Sequence, residues 1–218
     1  MRTRYYTDGE EIANTITHAF GILLGIVGGY ILFDKATLSN NGWAITSVAA
    51  YLFGMLASYI TSTAYHGCTP EKEGRKELLR KFDHAAIYLH IAGTYTPFTL
   101  VVLREAGFWG WGLFIFIWLA AIAGLIISFT RLKSHSNVET ICFVLMGLAI
   151  LVAFKPLYDI LSASGYLDSL YWLIGGGVSY IAGALFYSWT KKKYMHTLFH
   201  LFVLGGSFCH MMAIYIIL

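Results

Sequence analysis

Seven stretches of the chain, 16–33, 43–65, 84–103, 109–129, 140–154, 170–189 and 197–218, contain no Lys, Arg, Asp or Glu. A helix crossing the hydrocarbon core of a bilayer needs about 20 mostly apolar residues, and six of the seven approach or exceed that. The fifth is the shortest, and is expected to run past Lys155 to Tyr158 with the ammonium snorkelling outward. The runs are continuously apolar rather than alternating, which predicts helices and not the strands of a barrel. Together they hold 139 of the 218 residues, and all 27 charged side chains fall in the other 79. Amphipathic helices of a soluble bundle would carry charge on their outer faces. The pattern therefore predicts an all-α integral membrane protein, a seven-transmembrane helix bundle forming one domain over residues 1–218. Pro97 should kink the third span, and Gly175-Gly176-Gly177 should loosen or closely pack the sixth.

Composition narrows the class further. Charged residues make up 12% of the chain and apolar residues 57%, against about 25% charged in soluble domains. Disorder, a collagen-like repeat and a coiled coil are excluded by the same figures. The net charge of +3 is small and its basic residues are dispersed, so a nucleic-acid partner is not expected. Three widely spaced cysteines make no disulfide framework. The first apolar run follows a polar tail with three acids and is long enough to span, so no cleavable signal peptide is expected.

Basic residues in the connections set the expected orientation. Arg2, Arg4, Lys72, Arg75, Lys76, Arg80, Lys81, Arg131, Lys133, Lys191, Lys192 and Lys193 all fall on one side of a seven-span bundle, and only Lys35, Arg104 and Lys155 on the other. The N-terminus is therefore expected in the cytoplasm and the C-terminus outside. Residues 66–83 are expected to form a solvated loop of mixed charge.

Ionisable groups inside a membrane are costly, and so mark function. Gly54, Ser58, Ser62 and His66 follow one another at four-residue intervals and share a helical face. Glu11, Asn14 and His18 share another, continued by Gly21, Gly25 and Gly28. Asp83 opens a face that runs through Ile87, His90, Thr94 and Pro97, and His196 and His200 stand one turn apart. With the alternation of the spans, Glu11, Asn14, His18, Ser62, His66, Asp83, His196 and His200 come to one level near the cytoplasmic leaflet.

Metal binding is the chemistry that such a layer supports. Histidines at i and i+4 present two imidazoles to one ion, and His66 would supply a third. Three protein nitrogens with an open fourth position describe a catalytic zinc site, although imidazole also suits other transition metals. Asp83 is placed to act as general base, and Ser62 to bond the attacking water or a developing oxyanion. Glu11, Asn14 and His18 suit supporting hydrogen bonds better than ligation. Each assignment has a plainer counterpart. A His pair at a membrane boundary can be merely interfacial, Asp83 stands where an N-cap would, and Ser62 is small enough to be a packing residue. His90 and His210 lie too deep for the same ion and are expected to hydrogen-bond across helices.

These residues carry a family resemblance. Glu11-x-x-Asn14-x-x-x-His18, Ser62-x-x-x-His66, Asp83 and His196-x-x-x-His200 occur in the order found in the hemolysin III family. The stretches Phe82-Asp83-His84-Ala85-Ala86-Ile87-Tyr88 and Ala92-Gly93-Thr94-Tyr95-Thr96-Pro97-Phe98 resemble that family closely. It is the bacterial branch of the progestin and adiponectin receptor (PAQR) family, and both are similar to alkaline ceramidases. The resemblance covers essentially the whole chain. It implies zinc held by His66, His196 and His200, with Asp83 at the zinc-bound water and Ser62 beside it. It further implies a multi-pass protein of the bacterial plasma membrane that acts on membrane lipids, as a hydrolase of a lipid amide or ester. Two alternatives follow: a non-enzymatic sensor or regulator in which zinc is structural, and a haemolysin-like cytolytic protein. Against a pore, no span has an amphipathic, water-lining face.

Overall fold

Thr7 starts the first helix well before the apolar run begins. Its hydroxyl accepts the Glu10 N–H at 3.4 Å, and the Glu10 carboxylate accepts the Thr7 N–H at 3.0 Å, forming a capping box. Asp8, Glu10 and Glu11 in the first turn complement the helix dipole. The computed structural model describes residues 6–69, 73–130, 137–189 and 192–218. Arg2, Arg4, Lys72, Arg131, Lys133 and Lys191, on which part of the expected orientation rests, lie outside the described residues.

The helices are α1 (Asp8–Leu38), α2 (Gly42–His66), α3 (Glu73–Pro97), α4 (Phe108–Thr130), α5 (Asn137–Leu148), α6 (Phe154–Ala163), α7 (Leu167–Ser188) and α8 (Met195–Ile217). A π-helical turn, Phe98–Val102, extends α3, and a 3₁₀ turn, Ala149–Ala153, joins α5 to α6. Among the described residues, seven of the resulting segments are long and apolar enough to cross a membrane. Their outer faces expose Phe20, Leu23, Phe116, Leu119, Leu145 and Leu185, as lipid contact demands. Helix α1 packs on α2 and α8, α2 on α3, α3 on α4 and α7 on α8. The third span is the innermost, with 72% of its most apolar window buried against 17% in the fifth.

Both irregular turns have local causes. Pro97 has no N–H to continue the helical ladder, and the next turn widens so that Leu103 N–H reaches Phe98 O at 2.9 Å. The kink expected at Pro97 is thus taken up as a π turn. In the fifth span the Tyr95 hydroxyl enters the ladder, meeting the carbonyls of Met146 at 2.7 Å and Gly147 at 2.8 Å and accepting Ile150 N–H at 2.8 Å. That span continues to Ala163, five residues beyond the expected Tyr158. Lys155, exposed, pairs with Asp159 at 2.5 Å.

One expectation fails at the start of α3. The solvated loop expected over 66–83 is helical from Glu73 onward, and Lys76 and Arg80 are buried, at 6% and 5% exposure. Acidic partners make this tolerable: Glu11 for Lys76 and Glu77 for Arg80. Asp83 consequently lies ten residues inside the helix, which eliminates the N-cap alternative.

The buried stripe of α1 (Asn14, His18, Gly21, Gly25, Gly28) and that of α2 (Gly54, Ser58, Ser62, His66) follow the spacing. Gly54 shows why the small residues matter. A Cβ there would stand 2.3 Å from the Leu89 carbonyl oxygen and 2.9 Å from His90 Cα, both rigid backbone. Gly54→Ala is expected to force α2 from α3 and cost about 1–3 kcal/mol, read as a lowered thermal midpoint in detergent. Gly147→Ala, where an added Cβ meets nothing within 4 Å, should leave the midpoint unchanged.

Candidate metal centre

The last residue of α2 and the first turn of α8 meet at the end of the bundle where α1 begins. There His66 Nε2 lies 3.1 Å from His196 Nε2, and His200 Nε2 lies 3.0 Å from the same atom. His66 and His200 are almost wholly buried, at 2% and 1% exposure. A left-handed residue, Tyr194 (φ 61°), begins α8, and its N–H donates to Glu10 Oε1 at 2.9 Å. Glu10, the glutamate of the α1 capping box, thereby fixes the turn from which His196 and His200 project.

The tautomers follow from the partners. His66 Nδ1 faces Glu11 Oε2 at 2.6 Å, and an ionised carboxylate can only accept, so Nδ1 carries the proton. His200 Nδ1 faces Asn14 O at 3.3 Å and Thr17 Oγ1 at 3.2 Å. Thr17 donates its own hydrogen to the carbonyls of Ala13 and Asn14, at 2.9 and 3.0 Å, so both groups accept from His200. His66 and His200 therefore turn Nε2 lone pairs toward His196 Nε2, which can supply at most one hydrogen. A shared cation resolves this conflict. Ligand nitrogens of a tetrahedral ion with bonds of about 2.0–2.1 Å stand about 3.3 Å apart, close to the separations found. The three imidazoles can coordinate one metal ion.

The supporting groups expected from spacing surround the cluster. Glu11 divides its carboxylate between His66 and Lys76 Nζ, the latter at 2.6 Å, and Lys76 also donates to Cys68 O at 2.9 Å. Asn14 Oδ1 accepts from Thr197 at 2.5 Å, with its amide nitrogen 3.5 Å from His66 Nδ1. His18 stacks on His200, ring centroids 3.5 Å apart, and meets the Tyr59 ring edge-on.

Asp83 and Ser62 approach from a different side. With His196 and His200 they line a cavity of about 230 Å³ that runs deep into the bundle between α3, α5, α7 and α8. Asp83 lies within electrostatic reach of His84, His66 and Arg80, and the Ser62 hydroxyl is buried with no hydrogen-bond partner among the described residues. The structure thus brings all eight residues singled out from the sequence to one end of the fold. The deeper pair behaves less uniformly. His210 makes the expected cross-helix bond, Nε2 to Leu173 O at 3.2 Å, but His90 Nε2 has no partner among the described residues.

Two contributors escaped the sequence. Lys76 carried a usable signal, because the Asp83 face continues backwards through Arg80 and Lys76 at helical spacing. The pair His84–Glu139 carried none, being 55 residues apart. His84 Nδ1 meets Glu139 Oε2 at 2.6 Å, and Ser128 donates to Glu139 Oε1 at 3.2 Å. This buried pair ties α5 to α3 beside Asp83, with His84 lining the cavity.

Comparison with known proteins bears on the same chain. A family model described as Haemolysin-III related matches residues 6–211. The chain is 42% identical to Hemolysin-3 of Bacillus cereus over 198 residues, which is 91% of this chain and 87% of that protein. It is 40% identical to the Hemolysin-3 homolog of Bacillus subtilis (strain 168) over 202 residues, 93% and 91% of the two chains. It is also 32% identical to the human Monocyte to macrophage differentiation factor over 210 residues, 94% and 83% of the two chains.

Metal analysis of the purified protein should find about one ion per chain, and none after His66→Ala, His196→Ala or His200→Ala. Glu11→Gln should keep the three ligands but weaken metal affinity roughly 10–100-fold, read by competition with a chelator.

Proposed function

The chain belongs to the haemolysin-III-related family, and from that membership and the imidazole cluster we propose a zinc-dependent hydrolase of a lipid amide or ester. It is a multi-pass membrane protein, and its bacterial relatives accord with a bacterial plasma membrane. The basic bias of its connections supports a cytoplasmic N-terminus, which puts the cluster at the cytoplasmic leaflet. One observation carries the proposal: His196, His200, Asp83 and Ser62 open onto one largely apolar cavity.

Zinc held by His66, His196 and His200 would polarise a carbonyl and acidify water near neutral pH. The protein's own groups have separate tasks. Glu11 fixes the proton of His66 on Nδ1 and keeps Nε2 available, and Asn14 and Thr17 do the same for His200. Asp83 accepts the proton of the attacking water and returns it to the leaving amine or alcohol. Ser62 donates to the oxyanion as the carbonyl carbon becomes tetrahedral. The cavity walls hold the acyl chain and exclude bulk water, which strengthens these electrostatic interactions.

A second reading draws on the burial of His66 and His200: the metal staples α2 to α8 in a non-enzymatic sensor or regulator. Asp83→Asn separates the two. For a hydrolase, its turnover of ceramide-like amides or phospholipid esters should fall about 10²–10⁴-fold, with metal content and thermal midpoint retained. A wild-type protein that retains zinc yet hydrolyses no member of a broad lipid panel would leave the staple as the function.

A further inference from the structure

His84 stands outside the imidazole cluster but borders the same cavity, in company with Ser62, Asp83, Thr140, His196 and His200. Its Nδ1 meets Glu139 Oε2 at 2.6 Å, and Ser128, fully buried, donates to Glu139 Oε1 at 3.2 Å. Both oxygens of Glu139 thus accept. The proton of a neutral His84 is therefore on Nδ1, and Nε2 offers a lone pair.

That second nitrogen is open. It makes no hydrogen bond among the described residues, and it is not sealed away as the unpartnered nitrogens of His90 and His210 are. The His84 side chain keeps 15% of its surface exposed, against 4% for Glu139. A strut between α3 and α5 would need only the bond at Nδ1, which a glutamine could supply. What the imidazole adds is a basic nitrogen across the ring from Glu139, on the residue next to Asp83. A histidine fixed at one nitrogen by a buried carboxylate and open at the other is arranged for proton transfer.

We propose that His84 is a catalytic residue, the group through which the proton taken up by Asp83 reaches the leaving amine or alcohol. The proposal rests on the hydrolase reading and deepens it. Consecutive side chains of a helix diverge, so the transfer passes through one water at the polar end of the cavity, an ordinary reach for acid–base catalysis. Asp83 takes a proton from the attacking water as the new C–O bond forms. It passes that proton through the intervening water to His84 Nε2, and Glu139 faces the imidazolium that results. Nε2–H then protonates the leaving nitrogen or oxygen as its bond to the carbonyl carbon breaks. His84 returns to its Nδ1–H form and Asp83 to its carboxylate. The two hydrogens of the attacking water end one on the released acid and one on the amine or alcohol.

Leaving-group dependence tests this, because p-nitrophenolate departs without needing a proton. The experiment compares turnover of a lipid alkyl amide or alkyl ester with that of the matching p-nitrophenyl ester, using the full-length protein in detergent. His84→Gln, which keeps a donor for Glu139, should lower kcat on the alkyl substrate about 10²-fold or more and on the p-nitrophenyl ester far less. KM, metal content and thermal midpoint should stay as in wild type. Glu139→Gln, which keeps an acceptor for Nδ1 but removes the charge opposite the imidazolium, should show the same selectivity to a lesser degree. Asp83→Asn should lower turnover of both substrates. If His84→Gln and Glu139→Gln slow both substrates alike, or neither, the relay is overturned and the hydrolase stands. A wild-type protein inert toward both substrates overturns the hydrolase reading, and the relay with it.

Discussion

The carboxylate of Glu11 joins three helices at one point. Standing on α1, it takes the Nδ1 proton of His66 on α2 with one oxygen and the ammonium of Lys76 on α3 with the other. Neither partner tolerates its loss, because both are buried and a buried donor left without its acceptor is costly. Removing one member of such a pair typically costs about 3–5 kcal/mol. The same bond fixes the tautomer of His66, and that tautomer turns a lone pair toward His196 and His200. Packing of the first three helices and readiness for a metal therefore depend on one side chain.

Other polar groups in the bundle obey the same constraint. Glu139 finds His84 and Ser128, Tyr95 fills the broken ladder of the fifth span, and Ser207 collects Tyr59 and Tyr180. These contacts help hold the helices around the cavity, beside a packed apolar core. The least buried span, containing α5 and α6, is tied inward by Glu139 near its start and by Tyr95 at its central break.

Much of the site was legible before any coordinates. Small and polar residues at four-residue intervals marked the inner faces of α1 and α2, since lipid-facing positions cannot afford polar groups. Alternation of the spans then placed His66, His196 and His200 at one end. The α3 extension was obscured by its charges: Lys76 and Arg80 read as solvated until their acidic partners are in view. Glu139 was invisible for a related reason, as its partner is remote in the chain and both residues sit beside an apolar run.

What the sequence determined by itself is the membrane class, the seven spans, the inner faces and the identity of the three imidazoles. Each follows from a local rule, either the cost of charge in hydrocarbon or the 3.6-residue period of a helix. Tertiary structure alone decided which nitrogen of His66 and of His200 is free, how Glu11 is divided, and that the cavity continues to His90 and His210. Those are questions of distance between residues far apart in the chain, and helical periodicity orders side chains around one axis without setting the separation between two.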